Sequence, residues 1–165
     1  MKIRLLAVFV LGCSLIAGSA QTHAAEDHST RHAVVLSPDL LELLRAEMRE
    51  ITDGVQSVPL SLATADWESI RQTSSKISAS YIMQKKLTPA QAAELERMLP
   101  ERFKRLDAEF HQRAESLGAA AAAHDSELVA FQYSRLIESC ARCHSEFASK
   151  RFPGFDSRAP QGHQH

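Results

Sequence analysis

The stretch DSELVAFQYSRLIESCARCHSEF, residues 125–147, reads as one helix that ends in a chemically loaded turn. Asp125 is a good N-cap, and Glu127 places an acid in the first turn, where the helix dipole favours it. Leu128, Phe131, Leu136, Ile137, Cys140, Cys143, His144 and Phe147 follow at mostly helical spacing. Pro153-Gly154 is expected to stop the helix.

Within that helix stands Cys140-Ala141-Arg142-Cys143-His144, a C-x-x-C-H sequence. Residues at i, i+3, i+4 and i+7 share one helical face, so Cys140, Cys143, His144 and Phe147 project together. Two thiols so placed can meet the two vinyl groups on one edge of a porphyrin, with the imidazole beneath the iron and Phe147 against the macrocycle. The pattern reads as c-type haem attachment. Other chemistries use a Cys pair. A thioredoxin-like redox pair needs a βαβ setting, which the chain does not show. A structural zinc site needs four protein ligands, and no second Cys pair follows the leader. A plain disulfide is the third alternative, which an oxidising compartment permits.

Outward from this helix the chain stays helical. Ser37-Pro38-Asp39 is a cap, a first-position proline and a first-turn acid. Leu40, Leu44, Met48, Ile51 and Val55 then form one apolar stripe, predicting a helix to about Gln56, ended by Val58-Pro59. A second helix is expected from near Thr64, with Trp67, Ile70, Ile77, Tyr81 and Ile82 on its apolar side, fading at Lys85-Lys86. Thr88-Pro89 opens a short helix to Leu99, and Pro100 breaks it from a long one through Phe103, Leu106, Phe110, Ala114 and Leu117. Gly118 ends that helix or the alanines 119–123 extend it, alanine being the best helix former. No strand, hairpin or repeat signal interrupts the series. The expected fold is all-α: a four-helix bundle, up-down-up-down, with an extra short helix between the second and third main helices.

The N-terminus differs from the rest. Lys2 and Arg4 precede an apolar run from Leu5 to Ala17, and Gly18, Ser19 and Ala20 follow. That order predicts a secretory signal peptide over residues 1–24, cleaved after Ala20, Ala24 or Ala25, and hence a periplasmic protein. Lipidation of Cys13 is a lesser alternative. The run is short for a membrane span, so no stable membrane insertion is expected. Residues 25–36 read as a flexible lead-in, 37–153 as the bundle and 154–165 as a mobile tail. Losing residues 1–24 removes Lys2 and Arg4 and leaves 17 basic against 20 acidic side chains. No basic stripe marks a nucleic-acid surface.

An iron held by His144 has a second axial position. A methionine there suits electron transfer, and an open position binds small gases. Beyond the leader stand Met48, Met83 and Met98. His144 lies about seven residues before the expected end of the last helix, and Met48 about ten after the start of the first. At about 1.5 Å per residue these are similar depths from one end. Met48 also lies on the apolar stripe, which points it inward, while Met83 and Met98 fall nearer helix ends at that same side and depth alone does not exclude them. Arg45, one turn earlier, is a candidate for a haem propionate. His28, His32, His111, His124, His163 and His165 have no ligand-like spacing and read as surface or satisfied histidines. Arg142, Lys150 and Arg151 read as solvated cations near a helix C-terminus, with docking of an acidic partner as the alternative.

These features resemble the class II cytochromes c, the cytochrome c-prime family: a leader, a four-helix bundle and a single C-x-x-C-H close to the C-terminus. The likeness covers nearly the whole chain after the leader, and Cys140 to Phe147 fits the family's C-x-x-C-H-x-x-aromatic pattern. Ala148 stands where a basic residue often follows, and the Pro100 break divides the middle of the chain. Low-spin relatives carry an iron-binding methionine on the first helix, and Leu44 to Arg49 resembles their pattern. The resemblance implies one covalently attached haem c, His144 and Met48 as iron ligands, and one-electron transfer between redox proteins rather than enzymatic catalysis. A five-coordinate nitric oxide or carbon monoxide binder is the alternative. Homodimers are frequent among such bundles.

Overall fold

The computed structural model describes residues 34–80 and 86–155. The leader, most of the lead-in, Tyr81, Ile82, Met83 and the tail from residue 156 lie outside the described residues. Within them run five α-helices and no strand: α1 (Pro38–Ala63), α2 (Trp67–Ser78), α3 (Pro89–Met98), α4 (Glu101–Ala122) and α5 (Ser126–Phe147). Four of these close a ring, α1 on α2, α2 on α4, α4 on α5 and, more sparsely, α5 on α1. The fold is the all-α four-helix bundle expected, with α3 as the extra short helix.

Two three-residue links make the hairpins. In each, a residue in the left-handed region closes the preceding helix: Ala65 at φ 56° and His124 at φ 54°. The Ala65 and Asp66 N–H groups donate back to the Leu62 and Ser61 carbonyls, and those of His124 and Asp125 do the same to Ala121 and Ala120. Both are Schellman closures, which satisfy carbonyls that the helix end leaves without partners. The same aspartates then cap the next helix, Asp66 accepting from the Ser69 N–H and Asp125 from the Leu128 N–H. Trp67 stacks on His124 at 5.4 Å between ring centroids, so both links lie at one end of the bundle. The opposite end gathers the starts of α1 and α4 and the end of α5.

Two boundaries differ from expectation. α1 passes through Pro59 and stops at Ala63, because burial of Val58 (1% exposed) and packing of Leu62 outweigh the single backbone bond that the proline removes. α4 takes the longer of its two expected ends, running through Gly118 to Ala122, and the buried Ala120 and Ala121 make the alanine run a small-residue packing face. α5 ends at Phe147, ahead of Pro153-Gly154, which instead open a short 3-10 turn. Ser37 holds the N-cap position of α1, but its side chain makes no cap bond there. Its N–H and hydroxyl both donate to the Glu94 carboxylate, tying α3 to the start of α1.

Candidate functional site

The end of α5 carries the site. Cys140 and Cys143 are free thiols, both part-buried, three residues apart on a continuous helix. Burial raises both thiols. Cys143 is pushed up to about 12, with the negative charges of Asp107, then Cys140 and Glu146 adding to the effect of burial. Burial, then the nearby Arg151 guanidinium, lowers His144 and favours its neutral imidazole, the form that binds metals. The segment thus offers two protonated thiols and a neutral ring nitrogen from one helical face.

Three contacts tie this segment to α4. Arg142 donates to both oxygens of Glu109, at 2.9 and 3.2 Å. Arg102 forms a two-pronged pair with Glu146, at 3.0 and 2.7 Å. Phe147 meets Phe103 edge to face at 5.2 Å, so its partner here is a core aromatic of α4. Arg142, read from sequence as a solvated or docking cation, is therefore committed to Glu109. The sequence could not reveal that pair, because it depends on the register of α4 against α5.

Past the helix end, Phe152 lies over His144, with centroids 4.7 Å apart and ring planes 26° from parallel. This contact too was not visible in the sequence. The remaining histidines in view are satisfied rather than clustered: His111 meets the Ile77 carbonyl, and His124 stacks on Trp67. No group of three or more His, Cys, Asp or Glu side chains is arranged to hold a metal among the described residues. Two free thiols and an imidazole presented from one turn of α5 fit a prosthetic group brought to that helix face.

Met48 lies on α1, and its placement differs in detail from expectation. The buried line of α1 runs Leu40, Glu47, Ile51, Val55 and Val58, with Glu47 only 3% exposed and Met48 36% exposed. At about 100° per residue, Glu47 falls closer to the middle of that line than Met48 does. The count from helix ends also changes: Met48 is ten residues past Pro38, but His144 is three before Phe147. Equal depth from the two ends no longer follows. Met98 is 39% exposed at the end of α3, and Met83 lies outside the described residues. Arg45 is exposed, 3.9 Å from Glu42.

The family model described as Cytochrome C' matches residues 39–148, two thirds of the chain, from the first turn of α1 to just past the C-x-x-C-H. No curated protein and no solved structure matches. An all-α bundle whose last helix ends in paired thiols and a histidine, matched along that whole span, settles the family: the chain belongs to the cytochrome c' family, a c-type cytochrome of the class whose prosthetic group is haem c.

Proposed function

We propose that this protein is a periplasmic monohaem cytochrome that passes single electrons between other redox proteins and catalyses no reaction of its own. Cys140 and Cys143 would hold the haem covalently, and His144 and Met48 would bind its iron. The haem supplies one-electron oxidation and reduction. The chain supplies a helix end that presents both thiols and the imidazole together, and α4 clamps that end through Glu109, Arg102 and Phe103. The observation that carries the reading is this single face of α5, with two free thiols three residues apart and the neutral-favouring His144 beside them. Export rests on the leader-like start of the sequence, and no described helix is long and apolar enough to cross a membrane.

A second reading, a five-coordinate gas binder, draws on one observation: Met48 sits at the rim of the buried line of α1, with Glu47 at its centre. Optical spectra of the haem-matured protein, oxidised and reduced, with and without carbon monoxide, separate the two. Electron transfer through Met48 and His144 gives a low-spin spectrum that carbon monoxide leaves unmoved, and Met48→Ala turns it high-spin and carbon monoxide-sensitive. A wild-type spectrum that is already high-spin and shifts with carbon monoxide replaces this reading with the gas-binding one. Mass of the denatured protein, which retains a covalent haem increment, checks the attachment.

A further inference from the structure

Beyond α5 the chain folds back in a built turn. The Ala148 carbonyl accepts from the N–H groups of both Arg151 and Phe152, at 2.9 and 3.0 Å, and the Phe152 carbonyl accepts from Phe155 at 3.1 Å. Ser149, within the turn, is buried. The result sets the Phe152 ring flat on the face of the His144 ring, with the Arg151 guanidinium carbon 5.8 Å from the Phe152 centroid, within cation–π range.

A histidine that binds a metal is usually oriented by a hydrogen bond to its other ring nitrogen. Among the described residues no such bond reaches His144, and the ring contact stands in that place. The χ2 torsion of a histidine is broad, so a free imidazole turns readily about it. A flat ring against one face restrains that turn. The nitrogens lie on the edge of the imidazole, so a neighbour on its face leaves the binding nitrogen open.

We infer that Phe152 is a positioning residue: by stacking on His144 it fixes the plane in which the imidazole meets the haem iron. This rests on His144 being an axial ligand. The stack has a signature in the haem-free chain, where the Phe152 ring current moves the His144 ring-proton resonances upfield. Phe152→Ala and Phe152→Leu abolish that shift and Phe152→Tyr keeps it. In the oxidised, haem-loaded protein the spread of the haem-methyl proton resonances follows the direction of the axial imidazole plane. Phe152→Ala and Phe152→Leu change that spread and Phe152→Tyr restores the wild-type pattern. Leucine keeps apolar bulk without a flat ring, so its behaving like alanine separates stacking from simple packing. His144→Gly in the same preparation tests the underlying reading. An unchanged optical spectrum there overturns the ligand assignment and this inference together. A changed spectrum, with the methyl pattern of Phe152→Ala equal to wild type, overturns the inference alone.

Discussion

His111 uses its two ring nitrogens on different helices. Nδ1 lies 2.8 Å from the Ile77 carbonyl of α2, and a carbonyl only accepts, so Nδ1 carries a proton. Nε2 faces the Asp107 carboxylate at 3.6 Å, an ion pair when the ring is charged. The Asp107 carboxylate beside it raises His111 above its usual 6.5 against the opposing effect of burial, and the Ile77 carbonyl and the charge of buried Glu47 on α1 add to the rise. A group raised in the folded state stabilises fully below its unfolded value, and that contribution is lost as pH climbs through the folded value. Wild-type stability should therefore decline on the alkaline side of 6.5 by more than that of Asp107→Asn, when urea unfolding is followed across neutral pH. Parallel pH profiles for the two proteins would remove the pair from the stability of the fold. Residues like these mark the limit of reading single positions from sequence. The shared placement of Cys140, Cys143 and His144 was legible because their spacing is local to one stretch of helix. Glu47 was not, since an apolar stripe drawn by hydropathy selects Met48 and passes over a carboxylate nearer its centre. Phe152 was not, since its partner lies eight residues back across a helix end.

The elements themselves were more legible than their ends. Caps at Asp125 and Thr88, the latter a full capping box with Gln91, are signals written in the adjoining sequence. Extension of α1 through Pro59 is decided by what that helix buries, which no local signal carries, whereas the alanine run already allowed α4 to pass Gly118. Gly118 shows the packing reason. A Cβ there would lie 3.1 Å from the Cβ of Ser74, which is 2% exposed and fixed to the α2 backbone. Gly54 on α1 would meet Thr73 at the same 3.1 Å, but through the Cγ2 methyl, which a rotamer change can move aside. Alanine gains about 1 kcal/mol over glycine from helix propensity at either site. Overpacking against an immovable neighbour costs about 1–3 kcal/mol. Gly118→Ala should therefore lower stability on balance by about 1 kcal/mol, while Gly54→Ala should be neutral or mildly stabilising. Thermal unfolding of the two variants is the check, and equal stabilisation by both would mean that α2 and α4 yield at Ser74.

At the scale of the whole bundle, the ring of helices is uneven. α2, α4 and α5 are closely packed in sequence around the core, whereas α1 closes the ring through α2 and only a sparse contact with α5. The first half of α1 adds little burial of its own, since Leu40 and Glu47 are its buried residues before Ile51. Local opening follows such thin packing, so amides between Leu41 and Glu50 should exchange with solvent faster than those of α4 and α5 in the haem-free protein. Met48 rides on that loose half, which turns exchange into a test of ligation. A ligand bound only by the folded state stabilises the elements that hold it. Haem carried by α5 alone should slow exchange around Cys140 to His144 and leave α1 as it was. A bond from Met48 to the iron couples α1 to α5 across the sparse seam, and the same amides of α1 should then slow with those of α5. The comparison of haem-free and haem-loaded exchange thus separates electron carrier from gas binder by what the sixth ligand does to the fold. Unslowed α1 amides in the loaded protein would place Met48 off the iron, and slowed ones that recover in Met48→Ala would place it on.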